Sequence, residues 1–261
     1  MDLCGTGGDG QATVNISTAV SFIVAACGVP VAKHGNRAAT SRSGGADVLE
    51  ELGLALEAAP EKLAAALEEV GICFLFARSM HPAMKYVAGA RRSLGIRTIF
   101  NMLWPLTNPL KPAFQLLGVF SPEAAALMAD ALSRMETERV WLVHGAEGLD
   151  EVSPQGVTYV WAVEGGSVQT IEVQPADFGF APAPLDAIRG GDAAANARIL
   201  SSVFNGDEGP VLNAVLMNAA CALVVAGRVG DLREGVAMAR EAVKSGGAQA
   251  KLKQLMRFMT P

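Results

Sequence analysis

The sequence predicts an α/β fold in which a mostly parallel central sheet is flanked by helices, with a second, smaller helical part. Three observations point there. The 261 residues are 51% hydrophobic but only 6% aromatic, an Ala/Val/Leu-rich balance that suits α/β layers better than an all-β sandwich. ICFLFA (72–77) and RVWLVHG (139–145) are unbroken apolar runs of strand length, as expected of parallel strands covered on both faces. Helical and strand patterns also alternate along much of the chain, which is long enough to bury a large core.

The elements follow in order. NISTAVSFIVAAC (15–27) has polar capping types in front of an apolar helix, and Gly28 stops it. VPVAKHG is a short strand, ADVLEELG a helix ended by Gly53, and EKLAAALEEVG (61–71) an amphipathic helix leading into the first apolar run. From 78 to 112 the rhythm breaks. HPAMKYVAGARRSLG reads as a helix and TIFNMLWPLTNPLKP as helical or irregular, so 78–112 is predicted as a helical insertion, with 1–77 and 113–261 forming the α/β part. FQLLGVF returns to strand, and SPEAAALMADALSRM has Ser at the N-cap and Pro at the first helical position. VTYVWAVEGGSVQTIEV predicts a hairpin about Gly165-Gly166. From about 192, four helical patterns close the chain.

Composition excludes several functions. A net charge of -5 offers no basic surplus for nucleic-acid phosphates. No apolar stretch is long enough for a membrane span and the first residues do not resemble a signal peptide, so a cytoplasmic protein is expected. Cys4, Cys27, Cys73 and Cys221 are scattered without a CxxC pair, which predicts reduced, buried thiols and leaves any metal to oxygen ligands.

Two loops carry the chemistry. Gly5-Thr6-Gly7-Gly8-Asp9-Gly10 matches GxGxxG, but the strand before it is barely present and Lys33 and His34 stand where a ribose-binding acid belongs. What remains is a loop whose amides can cradle an anion ahead of a helix N-terminus; Asn15, Ser17 and Thr18 could equally be plain caps. VAKHGNRAATSRSGGADVLEELG again sets Lys, Arg, Asn and hydroxyls before a helix. As a pair the loops suit a ligand with two separated anionic groups, such as a phosphosugar diphosphate, although a solvated basic loop is the bland alternative. Asp150-Glu151 follow a buried strand, and neighbouring carboxylates with a diphosphate suit magnesium; a solvated acidic turn is the alternative.

GTGGDG, NIST, KHGNRAATSRSG, ADVLEELG, HPAMKYV, RRSLGIRTIFN, PLTNP, GLDEVS and GGDAAANA, in this order across the whole chain, resemble the anthranilate phosphoribosyltransferases of tryptophan biosynthesis. The resemblance implies a nucleoside phosphorylase/phosphoribosyltransferase-type fold in a homodimer joined through a small helical domain, with the site in the cleft between domains. It implies transfer of the phosphoribosyl group from phosphoribosyl pyrophosphate (PRPP) to the amine of anthranilate, releasing pyrophosphate, with two magnesium ions per subunit. Carried over, PRPP would be held by Gly5, Gly8, Asp9, Thr13, Asn15, Ile16, Ser17, Thr18, Lys33, His34, Gly35, Asn36, Arg37, Ala38, Ala39, Thr40, Ser41 and Gly45. Gly5, Asn36 and Arg91 would contact anthranilate, and Ser17, Asp150 and Glu151 would hold the metal. An arylamine is already a neutral nucleophile, so no catalytic base is assigned; His34, His81 and His144 are read as structural or polar-lining. A nucleoside phosphorylase-like enzyme of the same fold, and a silent PRPP- or nucleic-acid-binding relative, are the competing readings.

The sequence departs from the family pattern in places. Family members usually carry several helices ahead of the glycine loop, which here starts at residue 5, so an incomplete small domain with poor stability or altered association is expected. Trp104 stands where the family has glycine, where an indole could block the acceptor or alter loop closure. Gly45 replaces a serine expected to touch PRPP, and Arg78 replaces a proline.

Overall fold

The computed structural model describes residues 1–38, 42–94 and 98–260; for 88, 90–92 and 94 it describes the helix alone. Its main sheet has the order β1-β4-β5-β6-β7. The strands β1 (Asp2–Gly5), β4 (Phe114–Gly118) and β5 (Arg139–Gly145) pair parallel, and β6 (Thr158–Glu164) and β7 (Ser167–Val173) extend the sheet antiparallel. The predicted hairpin turn is there, with Gly165 and Gly166 both at positive φ, the backbone a two-residue turn demands. The strand before the glycine loop, faint in the sequence, is real: β1 is only four residues long, but it lies in register with β4 from Asp2 opposite Gln115 to Gly5 opposite Gly118.

A second parallel pair, β2 (Val31–Gly35) and β3 (Ile72–Phe76), lies against β1. The junction is partly made by side chains. Ala32 N–H donates to the Met1 carbonyl at 2.9 Å, and beyond it the buried Asp2 carboxylate accepts from the amides of Leu3 (2.7 Å) and His34 (2.9 Å). Asn108 Nδ2 donates both to Asp2 (2.8 Å) and to the Ala32 carbonyl (2.9 Å). Aspartate and asparagine thus satisfy backbone groups where the ladder fails.

Helices cover both faces. On one, α1 (Ile16–Ala26) packs with α9 (Pro210–Val225), α10 (Leu232–Lys244) and α11 (Gly247–Met259) over Leu3, Leu116 and Val143. On the other, α7 (Pro122–Leu132) covers Cys4, Leu117 and Leu142. Alternate strand residues feed the two cores, so the strands read as continuous apolar runs. α2 (Gly45–Glu51) packs on α8 (Ala193–Asn205), and α3 (Pro60–Glu69) precedes β3. Between β3 and β4 come α4 (Ala77–Met80), α5 (Lys85–Leu94) and α6 (Ile99–Leu103), with 3-10 turns at 82–84 and 104–106. The expected cap at Ser121 forms, accepting from the Ala124 amide, and Asp192 caps α8 by accepting from the Ala195 amide. No single helix among the described residues is long and apolar enough to cross a membrane.

Candidate active site

The glycine loop leaves β1, the Asn36 loop leaves β2, and Asp150-Glu151 follow β5. These are carboxyl ends of parallel strands, where open α/β sheets place their ligands. Gly7, Gly8 and Gly10 all have positive φ, so the loop follows a path closed to most side chains. Gly7 N–H donates to Asp150 Oδ2 at 2.7 Å. A Cβ on Gly5 would stand 2.8 Å from that same oxygen, and one on Gly118 only 1.6 Å from the Asp150 carbonyl. Two strand ends without side chains let Asp150 sit directly on the sheet edge.

Glu151 Oε1 accepts from Ser17 N–H at 3.2 Å, placing an acid at the N-terminus of α1. Lys33, buried in the middle of β2, donates to the Leu3 carbonyl (2.5 Å) and to Ser17 Oγ (3.2 Å). Burial pulls the Lys33 pKa down, against the opposing pull of Cys4, Asp2 and Glu151. Glu151 is pushed up to about 7 by burial, with Lys33 and the Ser17 amide resisting. Asp150 goes well above the usual carboxylate range, first through burial and then through Asp9 and Glu151. This is a carboxylate-rich cluster in which Lys33 is the one buried cation among the residues named.

Asp9 Oδ2 is buried with no hydrogen-bond donor, and the Asp150 carboxyl faces Asp9. An orphaned acceptor among acids and a hydroxyl fits a hard divalent cation. Among the described residues no three His, Cys, Asp or Glu side chains converge into a ready-made cage; magnesium typically takes one or two carboxylates and completes its shell with water and phosphate oxygens.

Other candidates have different surroundings. Asn15 does not cap α1 with its side chain; it donates to the Ser43 carbonyl (3.1 Å) and accepts from Asn196 (2.8 Å), tying the two loops together. Thr13 bridges to Arg189, and Ile16 and Thr18 are buried. Gly35 closes β2, and the exposed Asn36 accepts from the Ala46 amide through its carbonyl. Arg37 is engaged with Glu50 (2.5 and 2.7 Å) rather than pointing free, and Asp47 ties the amides of Ala38 and Gly44 together. Gly45 opens α2 so close to Thr18 that a Cβ would lie 2.8 Å from its Oγ1, so a serine there would displace Thr18. Gly8 sits half-exposed in the loop, and Arg78 is exposed on α4. Ala39, Thr40 and Ser41 lie outside the described residues, as does the Arg91 side chain on α5.

Four supports escaped the sequence reading. Besides Asp2 and Asn108, buried Asn196 accepts from Gly191 N–H (2.8 Å) while holding Asn15. Buried Asn218 accepts from Val152 N–H (3.0 Å) and donates to its carbonyl (3.2 Å), clamping the acidic loop. Asn218 carried a signal: a lone amide inside the apolar run VLMNAACALVV of α9 must be hydrogen-bonded internally.

A glycine loop, a buried lysine and adjacent acids at the strand ends of an α/β fold suit a phosphate-bearing ligand and a divalent metal. Comparison with known proteins narrows this. The model of the glycosyl transferase family a/b domain matches residues 1–249. An anthranilate phosphoribosyltransferase of Desulforudis audaxviator is 51% identical over 257 residues, covering 98% of this chain and 74% of the relative. The crystal structure of the Thermus thermophilus enzyme superposes with a TM-score of 0.91 at 46% identity, covering 99% and 77% of the two chains. The Saccharomyces cerevisiae enzyme, solved in complex with PRPP and Mg, also gives 0.91 at 33% identity, covering 99% and 73%. The chain belongs to the anthranilate phosphoribosyltransferase family.

Proposed function

We propose that the chain transfers the 5-phosphoribosyl group from PRPP to the amine of anthranilate, giving N-(5-phosphoribosyl)anthranilate and pyrophosphate in tryptophan biosynthesis. The observation that carries this reading is the convergence of the glycine loop, Lys33-Ser17 and Asp150-Glu151 at the strand carboxyl ends. Amides of the glycine loop and the N-terminus of α1 receive the phosphates of PRPP, aided by the 33–41 loop. Ser17, Asp150 and Glu151 hold two magnesium ions, with Asp9 lining the same pocket. Bound there, magnesium would neutralise charge developing on pyrophosphate as the C1–O bond breaks. Lys33 holds the Ser17 hydroxyl in place and offsets Glu151.

Anthranilate lies toward Gly5 and Asn36, with Arg91 forking onto its carboxylate. Its amine attacks C1 as a neutral nucleophile while pyrophosphate leaves, and the proton it then sheds passes to solvent or to the departing pyrophosphate, so positioning rather than a strong base supplies the rate. Residues 78–112 belong to a small helical domain through which subunits pair. The exposed Tyr86, Ile99, Leu103 and Leu110 give that segment an apolar surface suited to association.

The test is the loss of anthranilate fluorescence when PRPP is added to purified protein, with and without magnesium. Magnesium-dependent loss, with pyrophosphate released one for one, is the expected result. Binding of PRPP and magnesium without consumption of anthranilate would overturn the reading.

A further inference from the structure

Lys33 and His34 are consecutive on β2, so their side chains leave opposite faces. Lys33 goes to Ser17 and Leu3, on the side assigned above to PRPP and metal. His34 goes the other way, and three rings meet there. The Trp104 indole stacks on the His34 imidazole with centroids 3.9 Å apart and planes 23° apart. His81 meets Trp104 edge-on at 5.5 Å, and its Nε2 lies 3.0 Å from His34 Nε2. His34 has no exposed surface, and its outer face is covered by the indole.

We propose that Trp104 is an internal competitor for the acceptor: its indole covers the His34 face on which a flat aromatic amine would stack, and must swing away before the acceptor can seat. The inference rests on the functional reading above, which puts anthranilate beside Asn36, two residues beyond His34. Trp104 has right-handed helical backbone (φ -51, ψ -53), so no strained main chain pins it. The residue is only half-buried. In this proposal a side-chain rotation uncovers the imidazole, at the cost of the aromatic contact given up. Such a contact corresponds to about 2- to 10-fold in affinity.

The test measures anthranilate binding by its own fluorescence anisotropy, with magnesium pyrophosphate present so that no turnover occurs, in wild type, Trp104→Ala and Trp104→Phe. Trp104→Ala should bind anthranilate about 2- to 10-fold more tightly, Trp104→Phe should fall between, and PRPP affinity by calorimetry should stay the same. Unchanged or weaker anthranilate binding in both variants would overturn the proposal and make the indole a wall of the acceptor site. If the alanine protein does not fold, the phenylalanine variant decides by the same direction of change. Turnover of PRPP with anthranilate by the wild type is scored separately, so failure of the transferase reading is distinguishable from failure of this one.

Discussion

Gly118→Ala tests the argument that bare strand ends place the acidic loop. A Cβ at this position would stand 1.6 Å from the Asp150 carbonyl oxygen, whereas real Cβ atoms essentially never come within 3.0 Å of such a neighbour. The acidic loop must therefore retreat by about 1.4 Å or β4 must shift by as much. Asp150 Oδ2 also holds the Gly7 amide, so the glycine loop moves with it. A misplacement of about 1 Å at a reacting centre can cost on the order of 100-fold, and kcat/KM should fall at least that far. The assay is the PRPP-dependent loss of anthranilate fluorescence across a magnesium titration. Gly5→Ala, whose Cβ would meet the Asp150 carboxylate at 2.8 Å, should lose less, because a side-chain oxygen can turn aside. Gly156→Ala, with nothing within 4 Å, serves as the control. Full activity in Gly118→Ala, with a normal magnesium requirement, would refute the close-approach argument.

Further outcomes follow from the same contacts. Asp2→Ala leaves the Leu3, His34 and Asn108 donors without their acceptor; at about 1–3 kcal/mol for each buried group left unpaired, denaturant unfolding should show a loss of at least 3 kcal/mol, and Asn108→Ala a smaller one. Asn196→Ala should cost about 1–3 kcal/mol of stability and weaken PRPP binding, measured by calorimetry, more than anthranilate binding, since it frees Asn15 from the loop junction. His34 is held down to about 3, chiefly by burial and then by His81 and Lys33. The unfolded chain therefore binds a proton that the folded chain refuses between about pH 6.5 and 3. Stability should fall as pH drops below 6.5, by up to about 1.4 kcal/mol per unit, and the difference between wild-type and His34→Asn melting curves isolates this slope from the opposite one contributed by raised carboxylates such as Asp2. A slope unchanged in His34→Asn would show that this imidazole stays solvated.

Much of the fold was legible because its signals are local. The apolar runs at 72–77 and 139–145 are β3 and β5, the Gly165-Gly166 hairpin is β6-β7, and the closing helical patterns are α8 to α11. β1 was nearly invisible for a physical reason: four residues with one buried acid carry no period, and the strand exists because β4 and β2 flank it. The glycine loop and the acids at 150–151 could be singled out from sequence, since positive φ and adjacent carboxylates leave a mark in residue type. The amides that fix them could not be assigned partners. Asn196 and Asn15 are 181 residues apart and Asn218 and Val152 are 66 apart, and only the folded topology brings them together. Arg37 shows another limit: its residue type marks it as a candidate phosphate ligand, but nothing in the sequence says that Glu50, thirteen residues on along the chain, pairs with its guanidinium.

In the function proposed above, the alternation of β2 divides the site in two. Were both Lys33 and His34 on one face, a buried ammonium would lie beside imidazoles that burial already keeps neutral, and the cost of each would rise. Opposite faces separate the demands. The lysine side collects carboxylates that need positive charge, from the chain itself and from metal. The histidine side is aromatic, ringed by Trp104 and His81, and offers a stacking surface for a flat ring rather than a charge for a phosphate. One residue of register separates the two environments, so a slip by one in β2 would exchange them. The His34 amide bonded to Asp2, and Asn108 bonded to Asp2 and Ala32, oppose that slip. With the site as proposed, the Asp2-Asn108 junction should matter for function as well as stability: an Asn108→Ala protein that stays folded should lose activity through misplacement of both Lys33 and His34, with PRPP and anthranilate affinities falling together. Loss of one affinity alone would show that the junction holds only one side of the site.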